Sequence, residues 1–174
     1  DLIKPIFWEI YKAVIFNETG VVINHTSISE DAGALIRNYL KWLILDESGE
    51  IPITKSIYLH GSFGVGKTTL IMAGLKFTEY LAVKVKYKDR LFKSISMDEL
   101  FLESYTSESL KNIGKLVKGF WVLDEVMEKH LSYKHYGKEH MIINDILMAR
   151  HNLWKRNGTP TMIISNMRPE LTRL

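Results

Sequence analysis

Ser56-Ile-Tyr-Leu-His60 runs directly into Gly61-Ser-Phe-Gly-Val-Gly66-Lys67-Thr68, and this junction decides the fold. The first stretch is short and β-rich and stops at a glycine, the pattern of a buried strand. The second matches G-x-x-x-x-G-K-[ST] at every position. From Lys67 to Leu81 helical spacing resumes through Leu70, Ile71, Leu75 and Tyr80, so the motif lies between a strand and a helix, the context that gives it meaning. Glycines at 61, 64 and 66 let successive backbone N–H groups turn inward around phosphate oxygens without Cβ clashes. A helix opening near Lys67 sets its positive dipole end beneath the same anions. Lys67 reaches the β- and γ-phosphates as a point charge, and Thr68 offers a hydroxyl to Mg²⁺, which demands oxygen ligands. Gly61, Ser62, Phe63, Gly64, Val65, Gly66, Lys67, Thr68 and Thr69 are therefore the candidate nucleotide-binding residues.

A phosphate loop also needs an acid on a neighbouring strand. Phe120-Trp-Val-Leu-Asp124-Glu125 supplies four apolar residues and then two carboxylates. Asp124 joins Thr68 as the candidate metal-holding pair, and Glu125 is placed to position and activate an attacking water. A second acid here favours hydrolysis over transfer to a bound acceptor. Later, Thr161-Met-Ile-Ile-Ser165-Asn166 reads as a strand ending in a polar pair. An amide at that strand end can hydrogen-bond the γ-phosphate or the lytic water. Lys67, Glu125 and Asn166 are thus the candidate catalytic residues.

The remaining elements follow from periodicity. Ile6, Phe7, Ile10, Val14 and Ile15 mark an amphipathic helical lead-in that stops over Asn17–Gly20. Ser27-Ile-Ser-Glu30 has the capping-box spacing and predicts a helix burying Leu35, Ile36, Tyr39, Leu40 and Leu43. Ala82 to Tyr87 alternates Val83, Val85 and Tyr87 against Lys84, Lys86 and Lys88, which predicts a strand. Phe92 to Met97 predicts another, with Ser96 or Asp98 capping a helix after it. Ser107 to Lys118 reads as a helix and Lys129 to Lys138 as a polar loop. Glu139 to Arg156 reads as a long helix, with Ile142, Ile143, Ile146, Leu147, Arg150 and Trp154 near helical spacing. Strands alternating with helices predict an α/β fold, a mostly parallel sheet with helices on both faces, and the G-x-x-x-x-G-K-[ST] motif makes the P-loop NTPase type the expectation.

Composition excludes other classes. The chain has 174 residues and 20.2 kDa, 46% hydrophobic and 25% charged, which fits one globular domain and removes disordered, collagenous and coiled-coil readings. The absence of cysteine removes disulfide scaffolds, thiolate zinc sites and cysteine nucleophiles. Apolar runs are too short to cross a bilayer, and no charged-then-apolar leader opens the chain. The expected setting is the cytoplasm, without a membrane partner, and a start at Asp1 suggests a fragment or processed chain. The net charge of +3 is unevenly spread. Lys76, Lys84, Lys86, Lys88, Arg90 and Lys93 face only Glu79 and Asp89 between them, an excess larger than that of the whole chain. This segment, with Tyr87 and Phe92 as stacking surfaces, suits either the phosphodiester backbone of DNA, of unassigned strandedness, or a solvated edge strand guarded by lysines. His130, His135 and His140 recur every five residues, which suits no single helix face. Arg150 could face a neighbouring subunit's nucleotide or simply the solvent.

Together, Tyr58-Leu-His-Gly61-Ser-Phe-Gly-Val-Gly-Lys-Thr68, Trp121-Val-Leu-Asp-Glu125 and Pro160-Thr-Met-Ile-Ile-Ser-Asn166 resemble the AAA+ ATPases. Within them the chain is most similar to the DnaC/DnaI-type helicase loaders and the IstB transposition ATPases, over roughly residues 28 to 168. The resemblance implies ATP and Mg²⁺ as ligands. It also implies that the Asn166 strand inserts between the phosphate-loop strand and the Asp124 strand. It implies a homo-oligomeric ring or spiral completed by a neighbour's arginine, and as partners a replicative helicase or a transposase with single-stranded DNA. Residues 1–27 are then a helical lead-in and 28–174 an AAA+ core whose C-terminal lid and arginine finger are expected beyond Leu174. Loaders usually carry Asp where this chain has Glu125, and Arg168 and Arg173 lie in no recognisable finger segment. Two other readings remain open: a nucleotide-gated interaction module with little hydrolysis, and a small-molecule or nucleotide kinase. The kinase would need an arginine-rich lid, yet Arg90 is the sole arginine between the loop and the acid pair.

Overall fold

The computed structural model describes residues 2–104, 116, 118–126, 133–135, 138–140 and 142–168. The chain divides into two compact units, Asp1–Ile53 with Gly66–Leu91, and Thr54–Val65 with Phe92–Leu174. Among the described residues no helix is long and apolar enough to cross a membrane.

The first unit is built from α1 (Ile3–Thr19), α2 (Glu30–Leu43) and α3 (Lys67–Lys84). α1 stops where expected: Gly20 takes a left-handed φ of 71° and returns its N–H to the Phe16 carbonyl at 2.8 Å. Phe7 of α1 packs edge-on against Phe77 of α3 at 5.3 Å and against Tyr39 of α2 at 6.5 Å. These rings, with Val14, Leu40, Trp42, Leu43, Leu70, Ile71 and Leu81, form its apolar centre. The capping box is displaced from its expected place. Ser27 and Asn24 cap each other around a short turn, with Ser27 N–H on Asn24 Oδ1 at 3.1 Å and Asn24 N–H on Ser27 Oγ at 3.3 Å. With that hydroxyl engaged, Ser29 caps α2 by accepting the Ala32 N–H at 3.3 Å. The buried stripe of α2 is Tyr39, Leu40, Trp42 and Leu43, whereas Leu35 is 42% exposed.

Two glycines within these helices carry opposite predictions. A methyl added at Gly74 would collide with the Tyr39 ring, meeting its Cζ at 2.7 Å, while at Gly33 the nearest atom is the mobile end of Arg37 at 3.3 Å. Alanine otherwise gains roughly 1 kcal/mol over glycine in a helix. Gly33→Ala is therefore expected to raise the unfolding midpoint in urea. Gly74→Ala is expected to lower it, at a cost of about 1–3 kcal/mol from overpacking.

The expected strand over Ala82 to Tyr87 is not formed. α3 continues to Lys84, and the N–H groups of Val85 and Tyr87 both return to the Leu81 carbonyl, at 3.0 and 3.2 Å. A helix already nucleated upstream extends at little cost, and three alternations do not outweigh it; Val83 and Val85 stay exposed. Lys84, Lys86 and Lys88 accordingly present no strand face. Arg90 of the same basic segment is 4% exposed, with its guanidinium 4.0 Å from the Trp42 ring centre and Nη2 donating to the Ile53 carbonyl. Burial pulls its pKa down to about 10. Phe92, in the second unit, is buried against Phe120 at 5.2 Å and offers no stacking surface.

The second unit is an α/β layer. Its four-stranded parallel sheet contains β1 (Ile57–His60), β2 (Phe92–Ser96), β3 (Phe120–Val126) and β6 (Thr161–Ser165), in the order β1-β6-β3-β2. The Asn166 strand thus lies between the other two motif strands, as the resemblance implies. α4 (Met97–Ser104) and α5 (Ile142–Asn157) flank the sheet, burying Met97, Leu100, Ile143 and Ile146 with Leu123 and Val126 of β3. Ser96 Oγ accepts the Asp98 N–H at 3.3 Å where α4 begins, as expected. Part of the expected polar loop is instead a two-stranded antiparallel ribbon, β4 (Tyr133–His135) and β5 (Lys138–His140), and β5 delays the start of α5 from Glu139 to Ile142. The ribbon sets His140 opposite Tyr133 and His135 opposite Lys138. His130 and the helix expected over Ser107 to Lys118 fall outside the described residues, except Leu116 and Lys118.

Arg150 corrects the sequence reading most. It faces no solvent: it is 2% exposed on the inward stripe of α5. Nε donates to Thr161 Oγ1 and Nη1 to the Leu116 carbonyl. Nη2 donates to the carbonyls of Gly119 at 2.9 Å and Pro160 at 3.2 Å. Its fork ties the entries of β3 and β6 to α5.

Candidate nucleotide-binding site

Parallel pairing places the ends of three strands at one edge of the sheet. His60 of β1 pairs with Ser165 of β6, and Val126 of β3 also pairs with Ser165. The loop that follows β1, the Asn166 that follows β6 and the Asp124-Glu125 pair of β3 therefore share the carboxyl edge, where open α/β sheets bind their ligands. Within the second unit, Gly61, Ser62, Phe63, Gly64 and Val65 leave β1 as an irregular turn. Phe63 is 77% exposed, and Ser62, Gly64 and Val65 are exposed beside it.

Gly64 has φ 76°, where an L side chain is strained although no atom would meet its Cβ within 4 Å. Gly66 opens the portion of the motif in the first unit with φ 83°, and its carbonyl accepts the first helical bond, from Leu70 N–H at 3.0 Å. Left-handed residues alternating with ordinary ones turn consecutive N–H groups to one side, the form of an anion nest. The N–H groups of Lys67, Thr68 and Thr69 then open the first turn of α3, where no intrahelical acceptor exists. Each stretch by itself suits an anionic oxygen group such as a phosphate. Thr69 spends its hydroxyl elsewhere, donating to Glu18 of α1 at 2.6 Å, so its backbone N–H is what it can offer an anion. Nothing in the spacing of the sequence pointed to Glu18.

β3 is irregular at its acids. Leu123 pairs with Ile163 and Val126 with Ser165, so Asp124 and Glu125 together oppose a single residue, a β-bulge. Glu125 has φ 57° and donates its N–H to Asp124 Oδ1 at 2.8 Å. A non-glycine residue in this region costs roughly 1 kcal/mol or more and persists where neighbours hold it. The bulge separates the two side chains, leaving Asp124 half-buried and Glu125 exposed.

β6 ends in a clamp that the polar pair only hinted at. The Ser165 hydroxyl, 1% exposed, donates to the Val126 carbonyl at 2.6 Å and accepts the Met167 N–H at 3.0 Å. From β1, the Tyr58 hydroxyl donates to the Met167 carbonyl at 2.9 Å. Asn166 sits between these anchors, half-buried. Sequence reading assigned no role to Ser165 or Tyr58, since a hydroxyl at a strand end shows its partners only once the strand order is known.

No protein-family model matches the chain. No curated protein matches it either. Solved structures share its fold. The crystal structure of DnaI superimposes with a TM-score of 0.57 at 21% identity, over 86% of this chain and 70% of that one. That of a candidate primosome component from Streptococcus pyogenes serotype M3 superimposes with a TM-score of 0.53 at 16% identity, over 80% of this chain and 64% of that one. This chain thus spans a little under two thirds of the second protein. The likeness to DnaI-type proteins, expected from three short motifs, is found across the fold.

Proposed function

We propose that this chain binds ATP with Mg²⁺ and hydrolyses it as an AAA+ ATPase of the helicase-loader kind. The observation that carries the reading is the strand order β1-β6-β3, which gathers the phosphate loop, Asn166 and Asp124-Glu125 at one carboxyl edge. In this reading the glycine-rich turn and the first N–H groups of α3 cradle phosphate oxygens, and Lys67 adds a positive charge against the β- and γ-phosphates. Thr68 and Asp124 would hold Mg²⁺, which when bound offsets charge on the phosphates. Glu125 orients a water for in-line attack and takes its proton, while the Asn166 amide donates to the γ-phosphate. The partners proposed are further copies of this chain, single-stranded DNA and a replicative helicase or a transposase, in the cytoplasm. The kinase alternative loses its one candidate arginine, because Arg90 is spent on Trp42 and Ile53.

Equilibrium binding of a fluorescent ATP analogue tests the site. Lys67→Ala removes a charge-assisted contact worth about 1.5–3 kcal/mol, so affinity is expected to fall by about 10- to 100-fold. Equal affinity in Lys67→Ala and the parent would remove the phosphate-loop assignment. Single-stranded DNA added to the parent is expected to stimulate turnover; tight ATP binding without turnover would indicate a nucleotide-gated interaction module.

A further inference from the structure

We propose that Ser165 is a positioning residue that couples the γ-phosphate-facing Asn166 to the water-orienting Glu125; this rests on the ATPase reading above. The Ser165 hydroxyl is bonded in both directions at once. It donates to the carbonyl of Val126, the residue after Glu125, and accepts from the N–H of Met167, the residue after Asn166. One buried oxygen therefore joins the two segments on which the chemistry depends, in each case at the main chain of the residue that follows the functional side chain.

Both segments need such support. Beyond the bulge at Asp124-Glu125 the pairing register of β3 has shifted, and Glu125 occupies a left-handed conformation that its neighbours must maintain. Asn166 lies just past the last residue of β6. The main chain of Met167 is held on both sides of its Cα, its N–H by Ser165 and its C=O by Tyr58. A displacement of the Asn166 turn towards or away from a γ-phosphate is thereby transmitted to the Val126 carbonyl and to the bulge beside it. The position requires a small group that donates and accepts together, which serine and threonine provide and alanine does not.

The test compares Ser165→Ala, Ser165→Thr, Tyr58→Phe and Asn166→Ala, each for affinity towards ATPγS and ADP and for ATP turnover. Misplacement by about 1 Å costs on the order of 100-fold in rate. Ser165→Ala is therefore expected to lose about 10- to 100-fold in kcat. It should also lose affinity for ATPγS while holding ADP as the parent does. Ser165→Thr is expected to restore both. Ser165→Ala placed on Asn166→Ala is expected to add little, because the two act on one element. Tyr58→Phe removes one anchor of the same turn and is expected to show a weaker form of the same pattern, even if Ser165→Ala fails to fold. Equal losses for ATPγS and ADP would reduce Ser165 to a structural role and overturn the proposal. So would parent-like behaviour of both Ser165→Ala and Tyr58→Phe where Asn166→Ala is impaired. Parent-like ATPγS affinity and turnover in Asn166→Ala would instead remove the γ-phosphate role of Asn166 and overturn the coupling, whereas a parent that neither binds nor hydrolyses ATP would defeat the ATPase reading itself.

Discussion

Arg150→Met is expected to lower stability by about 3–4 kcal/mol, a large effect for a single change. Methionine matches much of the apolar length of arginine, so the loss comes from hydrogen bonding rather than from a cavity. The carbonyls of Leu116, Gly119 and Pro160 and the hydroxyl of Thr161 all lose this donor, and three of the four contacts are buried; the expected loss takes each unpaired buried acceptor at the lower end of its cost of about 1–3 kcal/mol. Burial pulls the Arg150 guanidinium down to about 10, which still leaves it charged at neutral pH. Arg150→Lys keeps the charge but not the planar fork, and is expected to recover little. For a chain of this size the melting temperature should drop by about 10 °C. If Arg150 instead served a neighbouring subunit's nucleotide, Arg150→Met would melt like the parent and lose turnover alone.

The placement of Arg150 also shows what was legible in advance. Its helical spacing with Ile143, Ile146 and Leu147 put it on the inward stripe, but arginines are so seldom fully buried that the charge outweighed the spacing. Its acceptors lie 10 to 34 residues away in sequence, on other elements, and no local pattern announces them. Arg90 follows the same logic: Trp42 and Ile53 neutralise its exposure through contacts that composition does not carry. The short alternation over Ala82 to Tyr87 failed for another reason. Val and Lys at adjacent positions fit a strand or the end of a helix equally well, and the helix was already in place.

The candidate site was easier to read from the sequence, because the chemistry proposed for it is local. The phosphate loop occupies eight consecutive residues, and each residue type is required by what its own backbone or side chain does. β1, β3 and β6 were recognisable as apolar runs ending in functional groups. Periodicity could not supply their spatial order; the resemblance did, and the sheet has that order. The bulge at Glu125 and the Ser165 clamp stayed hidden, because both depend on how β3 and β6 register against each other.

Glu125→Gln carries the largest expected functional effect. Glutamine keeps the size and the backbone while removing the base. The N–H bond from Glu125 to Asp124 Oδ1 belongs to the main chain and survives the change. Nucleotide binding should therefore be unaltered, while general-base catalysis, worth about 10²- to 10⁴-fold, is lost. Steady-state ATP hydrolysis with Mg²⁺, measured on the parent and on Glu125→Gln at matched nucleotide occupancy, tests the central claim most directly. The account predicts turnover by the parent and a loss of about 10²-fold or more in Glu125→Gln. Turnover that is the same in both proteins would contradict it.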